Sequence, residues 1–152
     1  MELRRSLEAA EKKAAENWDK ALRAVAELEN TRRRAEKDIS NAHKYALERF
    51  AQDLLPVIDS LEKALEACLQ ESQQAMKQGL ELTQKMFLDV AKKYGLEAID
   101  PLGQPFDPNV HEAMAMQPNP NMDGNMVMTV VQRGYILNGR LVRPARVVVV
   151  AS

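Results

Sequence analysis

Cysteine, aromatic side chains, net charge and long apolar runs are all scarce in this chain of 152 residues. The single cysteine, Cys68, excludes an internal disulfide and any Cys-rich zinc module. It suits a reducing compartment, so a cytoplasmic location is expected. Aromatics are 5% of the residues and mean hydropathy is -0.40, which leaves little material for a large ring-filled core. Lys and Arg number 21 against 22 Asp and Glu, a net charge of -1. Neutralising nucleic-acid phosphate or anionic lipid is therefore not the main work expected of it. The longest apolar run, Val147 to Ala151, is strand-sized, far short of the roughly 20 residues that span a bilayer. Met1 to Ala15 carries Glu2, Glu8 and Glu11 without an apolar stretch, and is not expected to act as a secretory signal.

Glycine and proline are missing from one part of the chain rather than from all of it. Only Gly79 and Pro56 precede Tyr94, and the other 5 Gly and 6 Pro follow it. Because these residues interrupt helices and build turns, the first two thirds should be helical and the last third strands and turns, an α+β chain. Residues 2–54 are rich in Ala, Leu, Glu, Lys and Arg, which lose little rotamer freedom in a helix. A helix of about 50 residues would be roughly 75 Å long. Its apolar stripe is thin: Leu3, Leu7, Ala10 and Ala14 alternate by three and four, then Leu28, Ile39, Phe50 and Leu61 recur every 11 residues. Such a helix needs a partner, and no other segment is long enough, so a parallel homodimeric coiled coil with a weakly packed, Ala-rich seam is expected.

Pro56 is placed to open a second helix, with Val57, Leu61, Leu65 and Cys68 on one face. Gln70 to Gln74 is a polar connection, and Met76, Leu80, Thr83, Phe87, Val90 and Tyr94 mark a third helix. Lys92, Lys93 and Gly95 are its stop signals. Two such hairpins would form a dimeric four-helix bundle. Beyond Gly95, Leu96–Asp100, Ala113–Gln117, Met126–Tyr135 and Ala145–Val150 read as strands, and Asn138-Gly139 as a hairpin turn. The expected division is 1–55 long dimeric helix, 56–95 helical hairpin and 96–152 small all-β domain packed against the bundle.

Few residues suggest chemistry. His43 and His111 with Cys68 lie in unrelated segments and supply no zinc-ligand spacing, and no nucleotide-binding glycine motif or nucleophile elbow occurs. His111 reads as structural, hydrogen-bonded near Asp107. No catalytic residue, metal, cofactor or small-molecule substrate is expected. Arg32-Arg33-Arg34 is the sharpest charge cluster, and it spreads over about 300° of a helix. It reads either as a solvated face paired with Glu29, Glu36 and Asp38, or as an anchor for an acidic protein surface. Met114, Met116, Met122, Met126 and Met128 cluster either as gap-filling core or as an adaptable partner surface, with Met122 at an exposed turn. Gly79 inside a helix, costing about 1 kcal/mol relative to Ala, suggests close backbone approach in the bundle or to a partner.

Phe106-Asp107-Pro108-Asn109-Val110-His111-Glu112-Ala113-Met114, then Gly134-Tyr135-Ile136-Leu137-Asn138-Gly139-Arg140 and Arg143-Pro144-Ala145-Arg146-Val147, closely resemble the GrpE family. So do Glu27 to Arg34 and Asp53 to Leu61. The resemblance covers residues 20–150. It implies a nucleotide exchange factor for a DnaK-type chaperone: a homodimer of long helices, a four-helix bundle and a β-domain that engages the chaperone ATPase domain and stabilises its open, nucleotide-free state. Carried over by position, the helix contacts would be Arg32, Arg33 and Tyr45, with Gly79 near the bundle contact. Those of the β-domain would be Met116, Val131, Arg140 and Val149. Asn41 stands where a Lys is common, and Val142 replaces a larger aliphatic; the acidic tail common in the family is not among these residues. The alternatives, a nucleic-acid binder on a coiled coil and a passive spacer, fit the motifs less well. The Ala-rich seam further suggests that the long helices melt reversibly on heating and lower activity.

Overall fold

A computed structural model describes residues 1–152. The chain divides into two compact units, Met1–Lys44 and Tyr45–Ser152. The first is almost all of helix α1, Glu2–Tyr45, which spans 44 residues and buries none of them within the chain. Exposed i,i+4 ion pairs line it: Arg23 with Asp19 at 2.7 Å, Arg32 with Glu36 at 3.0 Å and Arg33 with Glu29 at 3.3 Å. Each such pair is worth only a few tenths of a kcal/mol, about 0.3–0.5 kcal/mol.

The expectation of one helix through residue 54 is corrected here. α1 ends at Tyr45, Ala46 and Leu47 form a turn, and α2 runs Glu48–Glu66. No breaker marks this point. Instead, tertiary contacts hold the residues on both sides: the Arg140 guanidinium lies 3.9 Å above the Tyr45 ring and pairs with Glu48 at 2.9 Å. Pro56, expected to open a helix, sits inside α2. It and Gln52, whose carbonyl loses its helical donor, are both exposed. The inward face of α2 is Ala51, Leu55 and Ile58 rather than a stripe beginning at Val57, which is exposed. A short 3₁₀ turn, Glu71–Gln73, leads into α3, Gln74–Lys93, which stops where its last-turn lysines and Gly95 predict.

The β-region contains two three-stranded sheets. β1 (Leu96–Ile99), β4 (Gly134–Leu137) and β5 (Arg140–Arg143) form an antiparallel sheet in the order β1-β4-β5. Leu96, Tyr135 and Leu137 of this inner sheet pack on Ala51, Leu55 and Ile58, so the β-region does rest on the helical hairpin. β2 (His111–Gln117), β6 (Ala145–Val150) and β3 (Val127–Gln132) form the outer sheet, order β2-β6-β3, with β2 parallel and β3 antiparallel to β6. Val127, Ala145, Val147 and Val149 make its own core.

The strand expected over Met126–Tyr135 is thus two strands in different sheets, with Arg133 between them. Asn138 at φ 47 and Gly139 at φ 83 close the predicted hairpin, as a type I′ turn requires. Gly134 allows the sheets to meet: a Cβ there would collide with the backbone nitrogen of Ala145.

Candidate functional site: exposed faces of the helices and the β-region

Arg32 and Arg33 lie in mid-α1 with their guanidinium groups in solvent, each already paired to a glutamate one turn away. That is the pairing expected of a solvated face, and it leaves the remaining guanidinium donors directed at water.

In the second unit, Tyr45 and Arg140, far apart in sequence, come together. Arg140 stacks on the Tyr45 ring and hydrogen-bonds Glu48, while the Tyr45 hydroxyl lies 3.5 Å from the Asn138 carbonyl oxygen, to which it donates. The stack holds a cation and an aromatic ring at the surface in one fixed arrangement. Glu48 was not singled out from the sequence, since only the fold places it beside the β4–β5 turn.

Met116 and Val131 are exposed, at 58% and 56%, on the two outer strands of the outer sheet. Met116 is in register with Val149, which pairs on its other side with Val127. Val149 itself is only 2% exposed and belongs to the sheet core, so the contact expected of it is not at the surface of this chain. Met114 is exposed on the same edge strand as Met116, whereas Met122, expected at an exposed turn, is half-buried. The methionine cluster therefore divides between exposed and half-buried positions, with none in either core. Gly79 has nothing within 4 Å of a Cβ built on it, so the close approach expected there does not occur within this chain. His111 is structural, as expected. Its Nδ1 accepts from the Asp107 amide at 2.9 Å, and its own amide donates to the Asp107 carbonyl at 2.8 Å.

The second unit also has an apolar groove of about 470 Å³ on the helical hairpin, lined by Leu47, Phe50, Leu54, Phe87, Val90 and Tyr94 among others. On the other side of α2, charges gather where helix meets sheets. Asp59 receives two hydrogen bonds from Arg143, at 2.5 and 2.7 Å, and Glu62 pairs with Arg133 at 3.3 Å. Burial raises the Glu62 carboxyl above its ordinary range, outweighing the nearby Arg133. Burial also pushes the Tyr135 phenol up to about 12, and its hydroxyl has no hydrogen-bond partner. Asp59 and Arg143 lie within the quoted family-like segments. Their partnership joins residues 84 apart in the sequence and leaves no local signal. No helix is long and apolar enough to cross a membrane.

The GrpE family model matches residues 1–151. A protein GrpE of Legionella pneumophila (strain Corby) is 56% identical over 147 residues, covering 97% of this chain and 74% of its own. A protein GrpE of Francisella tularensis is 59% identical over 136 residues, covering 88% and 69%. With a family match along nearly its whole length and relatives this similar, the chain belongs to the GrpE family.

Proposed function

We propose that this chain is a cytoplasmic co-chaperone that accelerates ADP release from a DnaK-type chaperone by binding the open, nucleotide-free state of its ATPase domain. The observation that carries this reading is family membership over residues 1–151, in a chain whose β-region holds Met116, Val131 and Arg140 at the surface. No bond chemistry is needed. A factor that grips the open ATPase domain more tightly than the closed ADP form shifts the population toward opening. Linkage requires that nucleotide weaken the grip by the same ratio. A nearly complete switch takes about 5.5 kcal/mol of differential binding. Met116 and Val131 would supply apolar anchoring on the wide interface, with Val149 in the core of the sheet that carries them. Arg32, Arg33 and Arg140, beside Tyr45, would steer and align.

The active species is a homodimer. α1 leaves Leu3, Leu7, Trp18, Leu22, Val25 and Leu28 uncovered, which a lone helix in water does not tolerate, and the groove on the α2–α3 hairpin is a second uncovered apolar face. In the functional division, α1 pairs as the long helix, the α2–α3 hairpin completes a four-helix bundle, with Gly79 near its contact, and residues 96–152 engage the chaperone. Reversible melting of the paired helices on heating would lower activity.

The test is stopped-flow release of fluorescent ADP from a DnaK-type chaperone with and without this chain. Acceleration that saturates with dimer concentration is expected. No acceleration at saturation overturns the reading.

A further inference from the structure

The two sheets are joined by single residues at two places: Arg133 between β3 and β4, and Pro144 between β5 and β6. Arg133 is held from several directions. Its side chain pairs with Glu62 of α2 at 3.3 Å and with Asp100, just past β1, at 3.2 Å. Its carbonyl accepts from Arg143 Nε at 2.9 Å, and the rest of that guanidinium forks onto Asp59 of α2. Gln132, the residue before it, donates its side-chain amide to the same Asp59 carboxylate at 3.0 Å. Glu62 also accepts from Gln84 of α3 at 3.4 Å.

Asp59 and Arg143 are 14% and 19% exposed, so this fork is shielded from water. A planar, two-point Arg–carboxylate pair fixes direction as well as distance. The network is placed at the sheet junction, whereas the outer sheet has a separate apolar core that needs none of it.

We propose that Asp59 and Arg143 are positioning residues: their fork, with Gln132 and Arg133, fixes the direction in which the outer sheet projects from the helical hairpin. Resting on the exchange-factor reading, the consequence is that the clamp governs how well chaperone binding becomes chaperone opening. Met116 and Val131 ride on the outer sheet. Without the clamp they still meet the chaperone, but the sheet swings rather than pushes.

The test uses the full chain and Asp59→Asn, which keeps side-chain shape and an acceptor for Gln132 but loses the charge-assisted fork. At saturating dimer the maximal nucleotide release rate should fall by about tenfold or more, as misplacement of a working group commonly costs. Affinity for the nucleotide-free chaperone should be nearly unchanged. Spin labels at Lys63 on α2 and Glu112 on β2, in a Cys68→Ala background with labelled chains diluted into unlabelled ones, read orientation without any chaperone. A single narrow distance distribution in the parent should broaden in the variant, with amide protection of β6 retained.

If Asp59→Asn fails to fold, Arg143→Lys carries the same comparison, because an ammonium cannot make the fork. An unchanged distance distribution, or an unchanged maximal rate with a broadened one, overturns the proposal. A parent chain that accelerates nothing overturns the exchange-factor reading instead, and the label distances still decide whether the clamp sets direction.

Discussion

Leu22 and Leu55 are both leucines in long helices, yet the first is 53% exposed and the second 2%. Leu22 lies in α1, none of whose 44 residues is buried. Leu55 lies in α2, whose inward face meets Leu96, Tyr135 and Leu137. Helix propensity is good in both, so propensity does not separate them. What differs is that residues 45–152 include strands against which a helix can pack, and residues 1–44 carry apolar positions that nothing in their own unit covers. The first region closes no core of its own, whereas the second closes one and leaves an apolar groove uncovered.

Removing residues 1–44 tests this most severely. Thermal melts followed by circular dichroism at 222 nm should show a lower, concentration-dependent transition in the whole chain that vanishes in Tyr45–Ser152. The upper transition should survive. If Tyr45–Ser152 is unfolded at room temperature, the second region does not stand by itself and the comparison fails.

Next in size is a pair of truncations to alanine. Leu55→Ala opens a cavity in a closed core and should cost about 2–5 kcal/mol, read by urea unfolding as a shift of the upper transition. Val25→Ala on α1 should leave that transition in place and lower only the concentration-dependent one. A shift of the upper transition by Val25→Ala would mean that the regions unfold as one.

A smaller effect sharpens the account of the second region. The Tyr135 hydroxyl is buried without a partner, so Tyr135→Phe should stabilise by about 1 kcal/mol. The sign with pH follows from its phenol, ordinarily near 10 and raised to about 12 in the fold. The folded state holds a proton that the unfolded state releases, so stability is fully present below pH 10 and drains away between 10 and about 12. Urea midpoints measured across that window should fall in the parent and stay flatter in the phenylalanine variant. Equal slopes would place the alkaline loss elsewhere.

The same contrast explains what could be read ahead of the structure. The distribution of Gly and Pro places the change from helix to sheet at Tyr94–Gly95, because those residues act on backbone geometry locally. Asn138-Gly139 specifies its turn for the same reason. The interruption at Ala46–Leu47 was not legible, since its neighbours Tyr45 and Glu48 are held by Arg140, about a hundred residues away in sequence. Arg133 looks like one more residue of a continuous strand until Gly134 brings it to the junction of two sheets. Val149 sits in an unbroken apolar run, and a run without alternation does not say which side chains face out. Family resemblance marked Tyr45 and Arg140 separately; only the fold shows that they touch.

The smallest expected effect on stability carries the most information about function. Arg32 and Arg33 pair across exposed turns of α1 with Glu36 and Glu29, so replacing both by Gln should lower stability by no more than about 1 kcal/mol in total. If the pairs exist only to solvate the helix, nucleotide release at saturating dimer and the salt dependence of binding to the chaperone should both match the parent. If the free guanidinium donors meet an acidic chaperone surface, association should slow, and its dependence on ionic strength should weaken because two steering charges are gone. Stopped-flow association at low and moderate salt separates these outcomes. Because α1 buries nothing, a loss of association rate without a matching loss of helicity can be assigned to contact rather than to unfolding.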